Sequence, residues 1–449
     1  MVDGICRARL NTGRVARWSS LLGHYSNFDQ IATIAATFME RTQSVPAIDL
    51  LAISRWTQKL GRRGFPFMVL RSRRTAMGHV RAAARAAMFA HLPRWQRWPL
   101  RVAMTLLWPL GALLETRRCL LQASAGARVQ GKWPTVRQGV QMWWLAMLHN
   151  VPPLEFSSYN LARKSQRALA ADYFYWCEND LLRTLNTRRG ANVDDVQDKA
   201  RFAEICVRHG LPCIPTLAVY RRGMREDEYP GLPEGEQRLW IKDLAGKQGS
   251  GTQQWQLDNG VYHDASGRSL TPAQLAQHLA KRDCIVQPWL SSHPALAAGP
   301  LGPLVVVRVV TGILPSGDVH VVACMLSMPN GRHRPMVCAV DDDTCQISRI
   351  LKMAGSGADS LLVSGHTFVG LRVPHWRACS ELVCNAHRLG FQRFAFLGWD
   401  VAITADGPLL VETNAGWGAM HHQMLEDKPL GDTPFASIAM AHLESPPCA

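Results

Sequence analysis

The sequence of 449 residues lacks the signatures of several common protein classes. None of its 12 cysteines belongs to a Cys-x-x-Cys pair, which argues against a zinc site of the usual spacing and against a dithiol redox motif. The N-terminus has no basic segment followed by an apolar stretch and a cleavage site, so we expect a cytoplasmic chain with free thiols. No internal repeat is present, and 47% hydrophobic with 19% charged residues indicates a globular chain.

The two apolar stretches of the N-terminal third are too short to cross a membrane unaided. Val102–Leu114 contains 13 uncharged residues interrupted by Pro109, whereas a spanning helix needs about 20. The second stretch, Gln138–Leu154, contains His149 and two prolines. The residues that would share one face of a helix there are Val140, Trp143, Trp144, Met147 and Leu148.

Acidic residues are scarce in the first 150 positions, which hold 20 Arg and 2 Lys against 5 acids, a net charge of +17. The other 299 residues hold 28 basic and 30 acidic groups, a net charge of −2, and only seven of the 15 tryptophans. Arg beside Trp is typical of segments that lie in the lipid headgroup layer. A helical domain with a Trp core is an equal alternative. Because no nucleic-acid-binding motif is present, we do not expect a nucleic-acid partner.

From about residue 173 the pattern becomes mixed α/β. The segment DVQDKARFAEICVRHGLPCIPTLAVY predicts a helix with Lys199 in its first turn, followed by a strand. The segment RLWIKDLAGKQGSGTQQWQL predicts a short strand ending at Lys242 and then a glycine-rich loop. Such a loop can bind phosphate through its backbone N–H groups, although a simple hairpin is also common. It is not a Walker A loop, because no Gly-Lys-Ser/Thr opens a helix after it.

Two further predicted strands contain a polar or charged residue within an apolar segment. DCIVQPWLSSH predicts a buried strand that runs into Gln287-Pro288-Trp289, where proline marks a sheet edge or a hinge. LVVVRVVTGILPSGDVHVVACMLSM predicts a β-hairpin with Arg308 among valines. A guanidinium stays charged and needs an anion when it is partly buried. Either a structural carboxylate or a substrate phosphate would serve.

The segments FAFLGWDVAIT and PLLVET predict a second hairpin around Ala405-Asp406-Gly407. A three-residue loop would place Thr404 opposite Pro408, and Asp400 opposite Glu412. Their Cβ atoms would then be about 5 Å apart on one face. Two carboxylates there are unfavourable without a cation, and Asn414 adds an amide oxygen on the same face. These hard oxygen ligands predict a magnesium site.

The order of these motifs resembles the ATP-grasp superfamily, and more narrowly the sugar-transfer-associated, α-L-glutamate-ligase-related ATP-grasp proteins. The cues are IKDLAGKQGSG, IVQPWLSSHP, VVVRVVTG and GWDVAITADGPLLVETNAGWG, over roughly residues 165–430. The resemblance implies an α/β (α+β) fold whose two α+β subdomains clasp ATP, after a basic helical region. The implied bounds are 1–155 for the helical region, 156–235 for lead-in helices and a first strand, 236–295 for a small lid subdomain, and 296–449 for the catalytic core.

The resemblance also implies roles for individual residues. The lysines that hold the nucleotide phosphates would be Lys199 and Lys242. The flexible loop on the triphosphate would be Lys247, Gln248, Gly249, Ser250 and Gly251. The hinge facing adenine would be Gln287, Pro288 and Trp289. The ligands of Mg²⁺, with two ions expected, would be Asp400, Glu412 and Asn414.

At the reacting end, the resemblance implies that Arg308 and Lys247 are catalytic, with Arg308 meeting the transferred phosphoryl group. The sequence departs from the family between Leu326 and Leu351. An Asn and paired glycines are usual there, but this chain has a single Asn-Gly. The acceptor side is therefore matched less well than the ATP side. His421 and His422 are candidates for a general base, or they simply line the loop after the metal strand.

The implied activity is an ADP-forming ligase that activates a carboxylate as an acyl phosphate and joins it to an amine or similar nucleophile. A small-molecule or glycan-linked acid would be the substrate, in cell-surface glycan or secondary-metabolite biosynthesis. A small-molecule kinase on the same fold and a non-catalytic, membrane-associated nucleotide-binding protein are the alternatives. The N-terminal third predicts either docking on the inner face of the cytoplasmic membrane or a structural helical domain.

Overall fold

The structure is a computed structural model that describes residues 75–88, 93–130, 136–149, 151–232, 238–246, 251–296, 304–330, 333–351 and 368–446. Its N-terminal part is helical, as the sequence predicts. The helices are α1 (Ala76–Met88), α2 (Arg94–Gln130), α3 (Val136–His149), α4 (Glu155–Ser158) and α5 (Lys164–Ala168). None of the described helices is long and apolar enough to cross a membrane.

Helices α2 and α3 pack against each other through tryptophan side chains and one glycine. The Trp108 indole donates to the Ala146 carbonyl at 2.9 Å, and the Trp143 indole donates to the Pro109 carbonyl at 3.3 Å. At Gly139 a Cβ would lie 2.8 Å from a methyl group of Leu120, so the two helices approach closely at this position. Trp108 is buried, so part of the predicted Trp core exists.

Helix α1 packs into the body of the protein. Its apolar face, which includes Met77 and Val80, lies in one buried cluster with Phe435 and Ile438. The helix that carries those two residues is α12 (Phe435–Glu444). Residues before position 155 therefore contribute to the core beneath the large sheet. The proposed boundary at 155 stays a prediction.

In the described residues, a small sheet has seven strands in the order β2-β1-β7-β3-β4-β5-β6, all antiparallel. The strands are β1 (Ala218–Arg221), β2 (Met224–Arg225), β3 (Arg238–Asp243), β4 (Gln253–Asp258), β5 (Val261–Asp264), β6 (Ser269–Leu270) and β7 (Cys284–Pro288). Three helices precede it: α6 (Asn179–Arg188), α7 (Asp194–Gln197) and α8 (Lys199–Arg208). Helix α9 (Pro272–Leu279) buries Leu275 and Leu279 against this sheet.

The large sheet has six strands in the described residues, again all antiparallel, in the order β11-β10-β9-β8-β12-β13. They are β8 (Val306–Ile313), β9 (Val319–Asn330), β10 (His333–Val340), β11 (Ile347–Ile350), β12 (Phe396–Thr404) and β13 (Gly407–Asn414). Helix α10 (Trp376–Leu389) covers one face, and α11 (Ala419–Glu426) with α12 and α1 covers part of the other. The predicted hairpin around Arg308 is confirmed as β8 and β9.

The hairpin of β12 and β13 has the predicted pairing of Asp400 with Glu412 but a different turn. Thr404 pairs with Gly407 instead of Pro408, so the predicted three-residue loop is wrong. Gly407 has φ of 128°, which lets the chain reverse after only two residues. A bulge beside Asp400 then adds one residue to β13 and restores the register at the carboxylate pair.

A glutamine connects the lead-in segment to the helix that follows the metal hairpin. The Gln423 side chain of α11 accepts from the Phe174 N–H at 2.8 Å and donates to the Tyr159 hydroxyl at 3.0 Å. The same carbonyl oxygen of Gln423 accepts from the Leu430 N–H at 2.9 Å. Because these groups are buried, the hydrogen bonds fix α11 against the lead-in segment.

Gly398 should be essential to the packing of β12. A Cβ at this position would lie 2.5 Å from the Cβ of Trp417, which is buried. We expect Gly398→Ala to lower the free energy of unfolding by about 1–3 kcal/mol, as overpacking does in closely packed cores. Gly416→Ala is the control, because no heavy atom lies within 4 Å of its added Cβ. Urea denaturation of both variants measures the difference, and equal stabilities would contradict the packing.

Candidate active site

Five of the predicted site residues come together from the two sheets and a helix. Strand β3 contributes Lys242, and the first turn of α8 contributes Lys199. The large sheet contributes Arg308, Asp400 and Glu412 from three adjacent strands, β8, β12 and β13. Asp400 is the cross-strand partner of both Arg308 and Glu412, so the three side chains form a row on one face.

Arg308 and Asp400 form a two-point ion pair. The Nε and Nη2 atoms of the guanidinium donate to the two carboxylate oxygens, each at 2.7 Å. Asp400 is buried, and its hydrogen bonds followed by its charge raise the pKa of Arg308, with a further contribution from Glu412. The anion that Arg308 requires is therefore a carboxylate of the protein. That carboxylate is also a predicted metal ligand.

Lys242 is a half-buried ammonium group. Burial lowers its pKa, the nearby Lys199 lowers it further, and the charges of Glu412 and Asp400 oppose the shift. Lys242 thus lies within electrostatic reach of the carboxylates on the other sheet. Its ammonium makes no hydrogen bond or ion pair with any residue that the structure describes. A partly desolvated cation without a partner is costly, and it is the expected state of a group that binds an anionic ligand.

Lys199 supports the beginning of the glycine-rich loop. Its ammonium donates to the Gly246 carbonyl at 2.8 Å. Asp198 caps α8 by accepting from the Ala200 N–H at 3.0 Å, which offsets the unfavourable position of a lysine at a helix N-terminus. The Asp198 carboxylate also pairs with Arg221 at 2.8 Å. The ammonium of Lys199 is therefore fixed beside the loop.

The far end of the loop is held by an arginine that the sequence did not single out. Lys247, Gln248, Gly249 and Ser250 lie outside the described residues. Gly251 is described: its φ is +70°, and a Cβ there would lie 1.8 Å from an oxygen of Asp243. Arg282 donates to both Asp243 and the Gly251 carbonyl. Arg282 follows a helix along the chain, and no sequence motif surrounds it. Its contacts with Asp243 and Gly251 are therefore visible only in the folded structure.

The predicted hinge begins inside the small sheet. Gln287 is buried and pairs with Trp240 on β3, and Pro288 pairs with Leu239. Strand β1 pairs with β7 only as far as Val286. Pro288 lies beyond this pairing, where the missing backbone N–H of proline costs no hydrogen bond to β1. The Trp289 ring meets the Trp240 ring edge-on, with centroids 5.2 Å apart. Contact with adenine stays a prediction.

Two buried polar side chains lie beside each other after the metal hairpin: His422, a predicted candidate for a general base, and Trp417, which the sequence did not single out. Trp417 and His422 are 3% and 2% exposed, and their ring nitrogens make no hydrogen bond within the described residues. Burial, with the charges of Arg308 and His421, lowers the pKa of His422 to about 3. The Cys324 backbone opposes this shift without completing a hydrogen bond. A neutral, deeply buried imidazole is a poor general base, which favours a structural role for His422.

The donor set fits a magnesium–nucleotide complex. Glu412 and the exposed Asn414 make no hydrogen bond with a described residue through their side chains, and both offer hard oxygen ligands. Asp400 would have to share its oxygens between a metal ion and Arg308. Among the described residues, no three His, Cys, Asp or Glu side chains cluster as a metal site. Two carboxylates with an amide are the ligand type that leaves positions for phosphate oxygens and water.

A comparison with the sequence profiles of known protein families identifies the family of this chain. The profile of the sugar-transfer associated ATP-grasp family matches residues 177–433. That interval contains every predicted site residue, from Lys199 to Asn414, and more than half of the chain. The chain belongs to the sugar-transfer associated ATP-grasp family. The predicted ATP-grasp fold, a mixed α/β structure with antiparallel sheets, is thereby confirmed.

Several solved structures align with parts of this ATP-grasp protein. L-amino acid ligase from Bacillus licheniformis has 11% identity and a TM-score of 0.28, with 49% of this chain and 41% of that chain covered. N5-carboxyaminoimidazole synthetase from Staphylococcus aureus has 11% identity and a TM-score of 0.34, with 56% and 52% covered. D-alanine–D-alanine ligase from Helicobacter pylori has 11% identity and a TM-score of 0.33, with 55% and 61% covered.

The chain thus spans about half the length of the first two structures. At these TM-scores the alignments carry no inference about activity. No curated protein sequence matches this ATP-grasp protein.

Lys242 should dominate nucleotide binding. If Lys242 binds phosphate oxygens as predicted, its removal forfeits charge-assisted hydrogen bonds, so we expect Lys242→Ala to raise the Kd for ATP by about 10–100-fold. Arg308→Ala should change that Kd less, because Arg308 is already paired with Asp400. Lys281→Ala is the control, since Lys281 is an exposed lysine near the same sheet. Isothermal titration with Mg²⁺ and ATP measures all three, and an unchanged Kd for Lys242→Ala would exclude it from the phosphate site.

Proposed function

We propose that this ATP-grasp protein is an ATP- and Mg²⁺-dependent ligase that joins a carboxylate to an amine or similar nucleophile and releases ADP and phosphate. The observation that supports it best is the meeting of two ammonium groups, Lys199 and Lys242, with two carboxylates, Asp400 and Glu412, at the junction of the sheets. Cations on one side and oxygen ligands on the other suit a triphosphate with a divalent ion between them.

The lysines would bind the phosphates in different ways. Lys242 is half-buried and has no hydrogen-bond or ion-pair partner among the described residues, so it could bind a phosphate oxygen directly. Lys199 is committed to the Gly246 carbonyl and would position the glycine-rich loop while adding positive charge. The Arg282 contacts with Asp243 and Gly251 hold the other end of that loop. Closure of residues 247–250 over the triphosphate belongs to the proposal.

The metal ligands would be Glu412, Asn414 and Asp400. A magnesium ion bound there would neutralise the charge on the triphosphate during transfer of its γ-phosphoryl group. Glu412 and Asn414 lie two residues apart on β13 and therefore share a face. Arg308 orients Asp400 through two hydrogen bonds.

The proposed reaction has two steps. An oxygen of the substrate carboxylate forms a bond to the γ-phosphorus while the bond from that phosphorus to the bridging oxygen of ADP breaks. The nucleophile then attacks the acyl carbon of the acyl phosphate, inorganic phosphate leaves, and the nucleophile loses a proton to solvent. Arg308 lies at the edge of the row nearest β9 and would stabilise negative charge on the transferred group. Exclusion of water would protect the acyl phosphate from hydrolysis.

The substrate class follows from the family rather than from a described pocket. A small-molecule or glycan-linked carboxylate, used in cell-surface glycan or secondary-metabolite biosynthesis, agrees with the family's association with sugar transfer. The segment between Leu326 and Leu351, where the sequence departs from the family pattern, belongs to the expected acceptor side. Residues 352–367, which follow it, lie outside the described residues.

The carboxylate should form an acyl phosphate. Incubation with ATP, Mg²⁺, a panel of carboxylic acids and hydroxylamine should release ADP and form a hydroxamate with the true substrate, because hydroxylamine traps acyl phosphates. ADP release and product mass spectra are the readouts. A phosphorylated hydroxyl product without hydroxamate would show a kinase instead. An absence of ADP release across the panel, with ATP still bound, would favour a nucleotide-binding protein without catalysis.

Glu412 should be needed for metal-dependent turnover. We expect Glu412→Gln to lower turnover by about two orders of magnitude or more, since a charged oxygen ligand becomes neutral. Asn414→Ala should act in the same direction but less strongly. Asp406→Asn is the matched control, because Asp406 is an exposed acid at the tip of the same hairpin. Steady-state ADP release over a magnesium titration is the readout; wild-type turnover of Glu412→Gln at saturating magnesium would remove Glu412 from the site.

A further inference from the structure

Helices α2 and α3 leave an unusually large set of apolar side chains exposed. Their exposed fractions lie between 42% and 85%. On α2 these residues are Trp95, Trp98, Leu106, Leu110, Leu113 and Leu121, and on α3 they are Val136, Val140, Trp144 and Leu148. We call this set the apolar stripe. A soluble surface tolerates single exposed leucines, but a continuous patch marks a contact site.

The spacing shows that the stripe is one face of each helix. On α3 its members recur every four residues, and on α2 they recur mostly at three or four residues, which keeps them on one side of a helix with 3.6 residues per turn. The residues that α2 buries, such as Trp108 and Ala112, lie on the opposite side. The same holds for Met142 and Leu145 of α3. Each helix therefore has one apolar face packed on the protein and a second one outside.

The charge around the stripe is almost entirely positive. Residues 93–149 hold eight basic residues and a single acid, Glu115. Glu115 is buried and already paired with Arg118, at 2.8 Å from the guanidinium Nε. Arg117 and Arg137 are exposed on the same two helices. An apolar face with tryptophans and a cationic border is the pattern that inserts into the headgroup region of an anionic bilayer.

We propose that the apolar stripe is a membrane-docking surface that lies in the headgroup–acyl boundary of an anionic bilayer. The helices bind in the plane of the membrane, because no described helix can span it. Tryptophan and leucine side chains enter the boundary, and arginines meet lipid phosphates. The proposal is independent of the proposed reaction, because the stripe shares no residue with the Lys242–Glu412 site.

Deleting the N-terminal third would be a poor test, because α1 packs into the core of the large sheet. The full chain should instead be sedimented with vesicles of equal parts phosphatidylcholine and phosphatidylglycerol, and with pure phosphatidylcholine vesicles. We expect binding to the anionic vesicles that weakens but persists in high salt, because charge attraction is screened and apolar insertion is not. We expect no binding to the neutral vesicles.

Two stripe variants and one control locate the surface. Trp95→Ser with Trp98→Ser, and separately Trp144→Ser with Leu148→Ser, should each lower vesicle partitioning by about tenfold or more. Val207→Ser with Met224→Ser should leave it unchanged, since both residues are 72% exposed but lie outside the stripe. Circular dichroism should show all three variants folded. Because the two stripe variants alter different helices, loss of fold in one leaves the other as the test.

Several results would overturn the proposal. Equal binding to both vesicle types, or full binding by both stripe variants, would exclude the stripe as an anionic-membrane surface. If the wild-type chain is dimeric and the stripe variants are monomeric, a second copy covers the stripe. If the wild-type chain ignores vesicles and its stripe is protected from hydrogen exchange as a monomer, another part of the chain covers it.

Discussion

Asp400 is the residue on which the arrangement of the site depends. It lies between Arg308 on one neighbouring strand and Glu412 on the other. Two carboxylates directly opposite each other repel, and this row is stable only because Arg308 pairs with Asp400 at two points and Lys242 approaches from the other sheet. The ionised groups of the two sheets are thus mutually dependent. The site already places positive groups next to negative ones, and a triphosphate with a divalent ion would bind among them.

The carboxylate pair could be predicted from the sequence because strand alternation is rigid and the hairpin is short. The prediction succeeded for a reason that the sequence does not display. The turn at Gly407 is one residue tighter than expected, and the bulge next to Asp400 restores the register. Either change alone would have turned Glu412 to the other face. The agreement at position 412 therefore depends on two irregularities that cancel.

Other features could not be read from the chain, because they join residues far apart in sequence. The Arg282 contacts with Asp243 and Gly251 depend on the packing of β3 beside β7. The packing of α1 against α12 needs the whole body of the protein between them. In the N-terminal third, the tryptophans could be assigned from the sequence equally well to a membrane surface or to a helical core. In the structure Trp108 is buried and Trp98 is exposed, and membrane contact of the exposed tryptophans stays a proposal. Composition alone could not assign them.

In the proposed function, Asp400 and Glu412 hold the metal ion of a nucleotide bound between the sheets. A crystal structure with Mg²⁺ and a non-hydrolysable ATP analogue would show whether they do. We expect a magnesium ion about 2.0–2.1 Å from oxygens of Glu412 and Asp400, as octahedral magnesium sites require. The Lys242 ammonium should lie within hydrogen-bond distance of a phosphate oxygen. A nucleotide bound elsewhere, or a metal ion held by phosphates and water without either carboxylate, would contradict the claim.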